Sequence, residues 1–107
     1  MSQRPATSVL FLTALLQTAA VASDGQVQRG QTFVGANCAT CHAVGRVGAS
    51  PLGEAPAFRD LHTKYPVEDL GEALAEGITT GHPTMPEFQL EPDQIMDVLA
   101  YLKSLER

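Results

Sequence analysis

The 107-residue chain has no tryptophan, two cysteines, and seven lysines and arginines against twelve aspartates and glutamates, for a formal net charge of −5. Its basic residues are scattered singly, so there is no electrostatic footprint for holding phosphates and nucleic acid is not an expected partner. No segment repeats, and no run of 18 or more apolar residues marks a stable membrane insertion. Also missing are a phosphate-cradling glycine loop, a nucleophile beside a base and a paired-carboxylate arrangement, which argues against the common enzyme chemistries. The two cysteines are three positions apart, and a disulfide between them would close too small a loop to constrain the chain.

What is present begins with an N-terminal leader. A short polar start with one basic residue, Arg4, runs into the apolar stretch from Val9 to Ala22, which ends in Ala20-Val21-Ala22 ahead of the polar Ser23-Asp24-Gly25. This is the pattern of a signal peptide over residues 1–22, with cleavage expected after Ala22. The alternative, an uncleaved anchor, has only fourteen residues at about 1.5 Å each, well short of the roughly 30 Å hydrocarbon core. Residues 23–107 then form one domain of 85 residues with six basic and twelve acidic side chains, acidic and exported.

A domain that small buries a modest core and usually leans on a disulfide, a metal or a cofactor. The pentapeptide Cys38-Ala39-Thr40-Cys41-His42 supplies the candidate, for it has the C-x-x-C-H spacing of covalent haem attachment. Two thiols one helical turn apart can each add to a vinyl group of one porphyrin, and the imidazole after the second then reaches the iron. The large apolar ring also gives a short chain something to collapse around. Two other uses of these cysteines compete. A thioredoxin-like redox pair would want a βαβ context, which is missing, and zinc would need two further ligands at suitable spacing, whereas His62 and His82 stand apart.

The remaining pattern is helical, with no strand-like alternation of useful length. A first helix is expected from about Val27 to Asn37, with Val27, Gly30 and Val34 on one face. A glycine inside a helix costs up to about 1 kcal/mol, so Gly30 is expected to face a crossing helix, near Leu99 or Tyr101. Gly45, Gly48, Pro51, Gly53 and Pro56 make residues 43–56 an irregular loop. Pro66 suits a first helical position, followed by Val67, Leu70, Leu74 and Ile78 until Gly77 and Gly81 break the helix, while the acids from Glu68 to Glu76 read as its solvated side. A last helix is expected from near Pro92, with Glu91 a poor N-cap and Ile95, Val98, Leu99, Leu102 and Leu105 as the apolar stripe. Met96, inside that helix, reads as core packing.

Haem iron wants a sixth ligand or an open place for a substrate. Met85, forty-three residues after His42 in Pro83-Thr84-Met85-Pro86, is the favoured ligand because flanking prolines stiffen its loop. A thioether opposite imidazole favours reduced iron and raises the potential. His82, three residues earlier, is the rival and would give a bis-histidine site. His62 reads as an exposed or hydrogen-bonded loop histidine.

At this point the residues resemble the class I cytochromes c, in particular their small single-haem bacterial members, over essentially the whole mature chain. The resemblance implies an all-α fold of three main helices and loops wrapped around one haem c bound through Cys38 and Cys41, and a periplasmic setting. It also implies that Ala55-Pro56-Ala57-Phe58-Arg59-Asp60-Leu61 provides the proline carbonyl, that of Pro56, which accepts the hydrogen bond from the second nitrogen of the ligating His42. Met85 matches the family's ligand methionine, and Tyr101 the aromatic of its terminal helix. Two departures stand out: Val34, with Phe33 next to it, occupies the position where many relatives carry an aromatic, and His82 adds a histidine near the ligand.

The leading functional expectation is a one-electron carrier, not an enzyme, whose acidic balance calls for redox partners with a basic docking surface. The alternative of another class is an open iron that binds or reduces a small ligand such as peroxide or nitric oxide, with His82 as its general acid or base. A monomeric shuttle and a subunit of a periplasmic dehydrogenase or oxidase fit the sequence equally.

Overall fold

The computed structural model describes residues 2–13, 23–79 and 84–107. Most of the apolar leader, the expected cleavage site after Ala22, and His82 with Pro83 lie outside the described residues. Among the described residues every regular element is helical, so the domain is all-α.

The first helix, α1, spans Asp24–Asn37. It begins three residues earlier than apolar spacing alone predicts because Ser23 caps it. The Ser23 hydroxyl accepts from the Gln26 backbone N–H at 3.1 Å, and the Gln26 side chain accepts in return from the Ser23 N–H at 2.9 Å. This reciprocal pair satisfies two helix-end donors and lets the non-apolar turn Asp24-Gly25-Gln26 join the helix.

After the irregular loop come a 3₁₀ helix, Phe58–Thr63, a 3₁₀ turn, Val67–Asp69, and the short helix α2, Leu70–Glu76. Here the expected single helix from Pro66 is corrected. Pro66 stands just before the first turn, and that turn is wound tighter than α. The apolar register survives the change: Val67 is buried and Leu70 and Leu74 pack against the core, while Glu68, Asp69, Glu72 and Glu76 are exposed. The third helix, α3, spans Pro92–Ser104. Glu91 serves it better than its residue type suggests, because its backbone N–H donates to the Gln94 side chain at 3.1 Å, and Pro92 fills the first helical position.

Helices α1 and α3 cross at Gly30. A Cβ there would sit 2.8 Å from Tyr101 Cβ and closer still to the Asp97 carbonyl oxygen, so only glycine lets the two backbones approach this far. The expected neighbour Tyr101 is present at the crossing; Leu99 instead faces Gly71 on α2, its Cδ1 lying 3.4 Å from where a Cβ would be. Beside the crossing Arg29 pairs with Asp97 at 3.1 Å. The core gathers Val34, Leu61, Val67, Leu90, Ile95 and Val98 with Tyr101, Leu102 and Leu105. Met96 does not belong to it. It is 56% exposed, because it falls on the α3 face opposite the one that meets α1.

Among the described residues no helix is long and apolar enough to cross a membrane.

Candidate functional site

The end of α1 builds one wall of the site. The N–H of Cys38 still donates to the Val34 carbonyl at 2.8 Å, and the His42 N–H donates to the Cys38 carbonyl at 2.9 Å. One further turn therefore follows the helix and carries both cysteines and the histidine. The segment beyond is held by the Leu52 N–H donating to the Cys41 carbonyl at 3.0 Å and the Phe58 N–H to the Ala43 carbonyl at 2.9 Å. Those two bonds draw Pro56 and Phe58 back against His42.

The His42 ring is fixed from two sides. Its Nδ1 lies 2.7 Å from the Pro56 carbonyl oxygen, and its centroid lies 4.9 Å from that of Phe58 at an interplanar angle of 42°. A carbonyl can only accept, so Nδ1 carries the proton and the lone pair is left on Nε2. The imidazole is thus set in the tautomer a metal requires.

The opposite wall comes from the loop between α2 and α3. Its base is closed by two backbone bonds, from the Ile78 N–H to the Phe88 carbonyl at 3.1 Å and from the Leu90 N–H to the Leu74 carbonyl at 2.8 Å. At the neck Gly77 adopts φ +106°, a left-handed region that ends α2, and the Glu87 side chain occupies the space where a Cβ would be. The chain then passes through Met85, which is partly buried.

Between these walls lies a cavity of about 610 Å³. Cys38, Cys41, His42, Pro56 and Met85 all line it. The rest of its surface is largely apolar, with Phe33, Val34, Leu52, Leu74 and Val98 among the contributors, a volume and lining suited to a large flat apolar ligand. Val34 is buried in the core and Phe33 packs partly buried against it, and both line the cavity.

The donor set fits covalent haem and fits zinc badly. Among the described residues no three His, Cys, Asp or Glu side chains converge on one point. Burial pushes the Cys38 thiol up to about 11, so at neutral pH it is a protonated thiol and not the free thiolate that a redox-active dithiol uses. Neither cysteine is in a disulfide. His62 is exposed on the 3₁₀ helix, away from the cavity, and His82 lies outside the described residues.

Spacing alone does not single out Phe58 or the Gly77–Glu87 neck. Phe58 is legible only as part of the Pro56 segment, whereas the neck joins residues ten apart and leaves no periodic trace.

Comparison with known proteins agrees with this geometry. The cytochrome c family model matches residues 27–106. The chain is 37% identical over 83 residues to cytochrome c6 of Limnospira maxima, covering 73% of this chain and 91% of that one. It is 31% identical over 88 residues to a cytochrome c-553-like protein of Synechocystis sp., covering 79% and 74%. It is also 32% identical to the cbb3-type cytochrome c oxidase subunit FixP of Bradyrhizobium sp., covering 72% of this chain but only 29% of that longer protein. No solved structure matches. With a family match spanning α1 to the end of α3 and a cavity walled by its C-x-x-C-H turn, the chain belongs to the cytochrome c family, small bacterial single-haem electron carriers of class I.

Proposed function

We propose that the chain is a periplasmic one-electron carrier holding one haem c, attached through Cys38 and Cys41 and ligated by His42 and Met85. The bound group would supply the Fe(II)/Fe(III) couple. The chain's own part is to hold it: Pro56 keeps the His42 proton on Nδ1 so that Nε2 is free, and Phe58 limits rotation of the ring. The apolar lining excludes water, and the closed neck at Ile78 and Phe88 limits how far Met85 can move. A site closed on both sides suits electron exchange with little rearrangement rather than binding of a small substrate.

The observation that carries this reading is that His42 and Met85, forty-three residues apart, line one cavity with both cysteines. Residues 1–22 are proposed as a signal peptide cleaved after Ala22, which places maturation where the cysteines can be joined to haem during export. The partners are proposed to be redox proteins with a basic docking surface. The same site serves a free shuttle or a subunit of a larger redox complex, the setting named for the Bradyrhizobium relative.

The test is the absorption spectrum of exported, haem-loaded protein in both redox states. The weak red band of methionine sulfur on ferric iron is expected, and Met85→Ala should abolish it. A high-spin wild-type spectrum would mean an open iron, and a low-spin spectrum lacking the band would assign the position to another residue such as His82.

A further inference from the structure

Lys64 and Tyr65 follow the 3₁₀ helix Phe58–Thr63, and both line the cavity. Their backbone N–H groups donate to one acceptor, the Leu61 carbonyl, at 3.0 and 3.3 Å, which pins the pair between the buried Leu61 and Val67. Both side chains reach solvent, so they belong to the rim of the cavity and not to its floor. Lys64 is the one lysine or arginine on the described lining, and Glu54, on the loop before Pro56, is the one carboxylate. The charged neighbours Arg59, Asp60, His62, Glu68 and Asp69 do not line it. Arg29, Arg46, Arg59 and Lys103 each engage an oxygen of this chain, whereas neither Lys64 Nζ nor the Tyr65 hydroxyl has a partner among the described residues. Burial raises the Tyr65 phenol above its ordinary value of 10.0, so at neutral pH it is a hydrogen-bond donor.

We infer that Lys64 and Tyr65 bind the carboxylate end of the haem, the ammonium pairing with a propionate and the phenol donating a hydrogen bond to one. The inference rests on the haem-carrier reading and deepens it. By constitution the macrocycle carries its vinyl groups on two pyrroles and its two propionates on the other two, so a ring joined to Cys38 and Cys41 needs carboxylate donors away from the cysteine turn. That sets aside Asn37 and Thr40, which belong to that turn, and the Asn37 amide already donates to the Phe33 carbonyl at 2.9 Å. Thr84 adjoins Met85 and is uncharged, and His42 Nδ1 is committed to Pro56. An ionised carboxylate is costly to bury unpaired, which suits it to a rim that offers a cation and a hydroxyl. Glu54 acts in the opposite sense, since its charge repels a propionate and leaves Lys64 as the lining group that can neutralise one.

The experiment is carbon-13 NMR of reduced, haem-loaded protein with the propionate carboxyl carbons enriched, titrated over pH. Lys64→Gln is expected to raise the proton affinity of one propionate by about three- to tenfold, the range for a partly exposed ion pair. Lys64→Arg keeps the charge and should stay within about twofold of wild type, and Tyr65→Phe should raise the affinity by about threefold through loss of a hydrogen bond to the charged form. Arg29→Gln removes an equal charge far from the lining and should leave both propionates unchanged within about twofold. Lys64 is exposed, so its replacement leaves the core intact. No change in Lys64→Gln or in Tyr65→Phe overturns the inference, and so does a shift in Arg29→Gln equal to that in Lys64→Gln, which would assign the effect to net charge. A wild type that takes up no covalent haem would sink the carrier reading and this one with it; covalent haem with propionates indifferent to Lys64 sinks this one alone.

Discussion

Gly30 and Tyr101 meet where α1 crosses α3, so closely that a Cβ on Gly30 would lie 2.8 Å from Tyr101 Cβ, with the Asp97 carbonyl oxygen nearer still. Backbone cannot step aside as a flexible side chain does. Gly30→Ala must therefore push the helices apart, and with them Val34 and Val98, which line the cavity. The expected loss is about 1–3 kcal/mol, typical of overpacking a tight contact. Denaturant titration of the haem-loaded protein measures it, and a variant as stable as wild type would mean that the two backbones can separate at this crossing without loss.

Tyr101 has a second task, since its hydroxyl donates to the Val44 carbonyl and ties α3 to the loop that follows His42. Tyr101→Phe leaves that acceptor without its partner and should cost about 1–3 kcal/mol. Burial raises the Tyr101 phenol above its ordinary value of 10.0, so the folded state holds the proton longer than the unfolded one. That stability is fully present below about pH 10 and is lost as pH rises through the raised folded value. Tyr65 and Lys103 are raised as well and contribute in the same sense. The alkaline decline in stability should be shallower in Tyr101→Phe than in wild type, and parallel declines would discount the tyrosine.

The sequence made most of this architecture legible where the information is local. Cys38, Cys41 and His42 are readable because attachment chemistry demands adjacency, and the α3 stripe because burial on one helix face imposes a period. Gly30 could be read as a crossing point because glycine in a helix needs a reason. Reading failed where geometry is not local. Met96 lies among apolar letters yet faces solvent, since the direction of α3's inner face is set by α1 and α2 and not by α3 alone. The tightening of the Val67–Asp69 turn and the Gln26 and Gln94 capping partners depend on main-chain detail that composition hides. Pro56 came from family resemblance, and its carbonyl lies 2.7 Å from His42 Nδ1; no feature of the residue itself announced it.

The neck of the Met85 loop offers a test that separates strain from steric conflict. Gly77 has φ +106°, and the Glu87 side chain fills the place of its missing Cβ. Gly77→Ala should cost about 1–2 kcal/mol for the left-handed backbone alone and more for the clash. Adding Glu87→Ala should restore the second part and leave the first, so the double variant should fall between Gly77→Ala and wild type in denaturant stability. The methionine–iron band should weaken in the same order. Full recovery in the double variant would mean that the backbone conformation carries no penalty.

Charge along the chain is uneven enough to give docking a direction. From Tyr65 to Leu102 there are eight acids and no lysine or arginine, whereas residues 23–64 hold three acids and four bases. Glu72 and Glu76 are exposed on α2, whose other face, at Leu70 and Leu74, lines the cavity. A partner with the proposed basic docking surface would be steered to the α2 side of the site, and its association should slow as salt rises. Reversing both charges, Glu72→Lys with Glu76→Lys, should lower the bimolecular rate of electron exchange with a basic partner by about tenfold at low ionic strength. The gap should close as the Debye length shrinks to about 3 Å near 1 M salt. The same double change at Asp24 and Asp60, exposed acids outside the α2 segment, should matter less. Stopped-flow mixing over a salt series measures all three proteins, and equal slopes for the two double variants would mean that net charge, not its placement, governs the encounter.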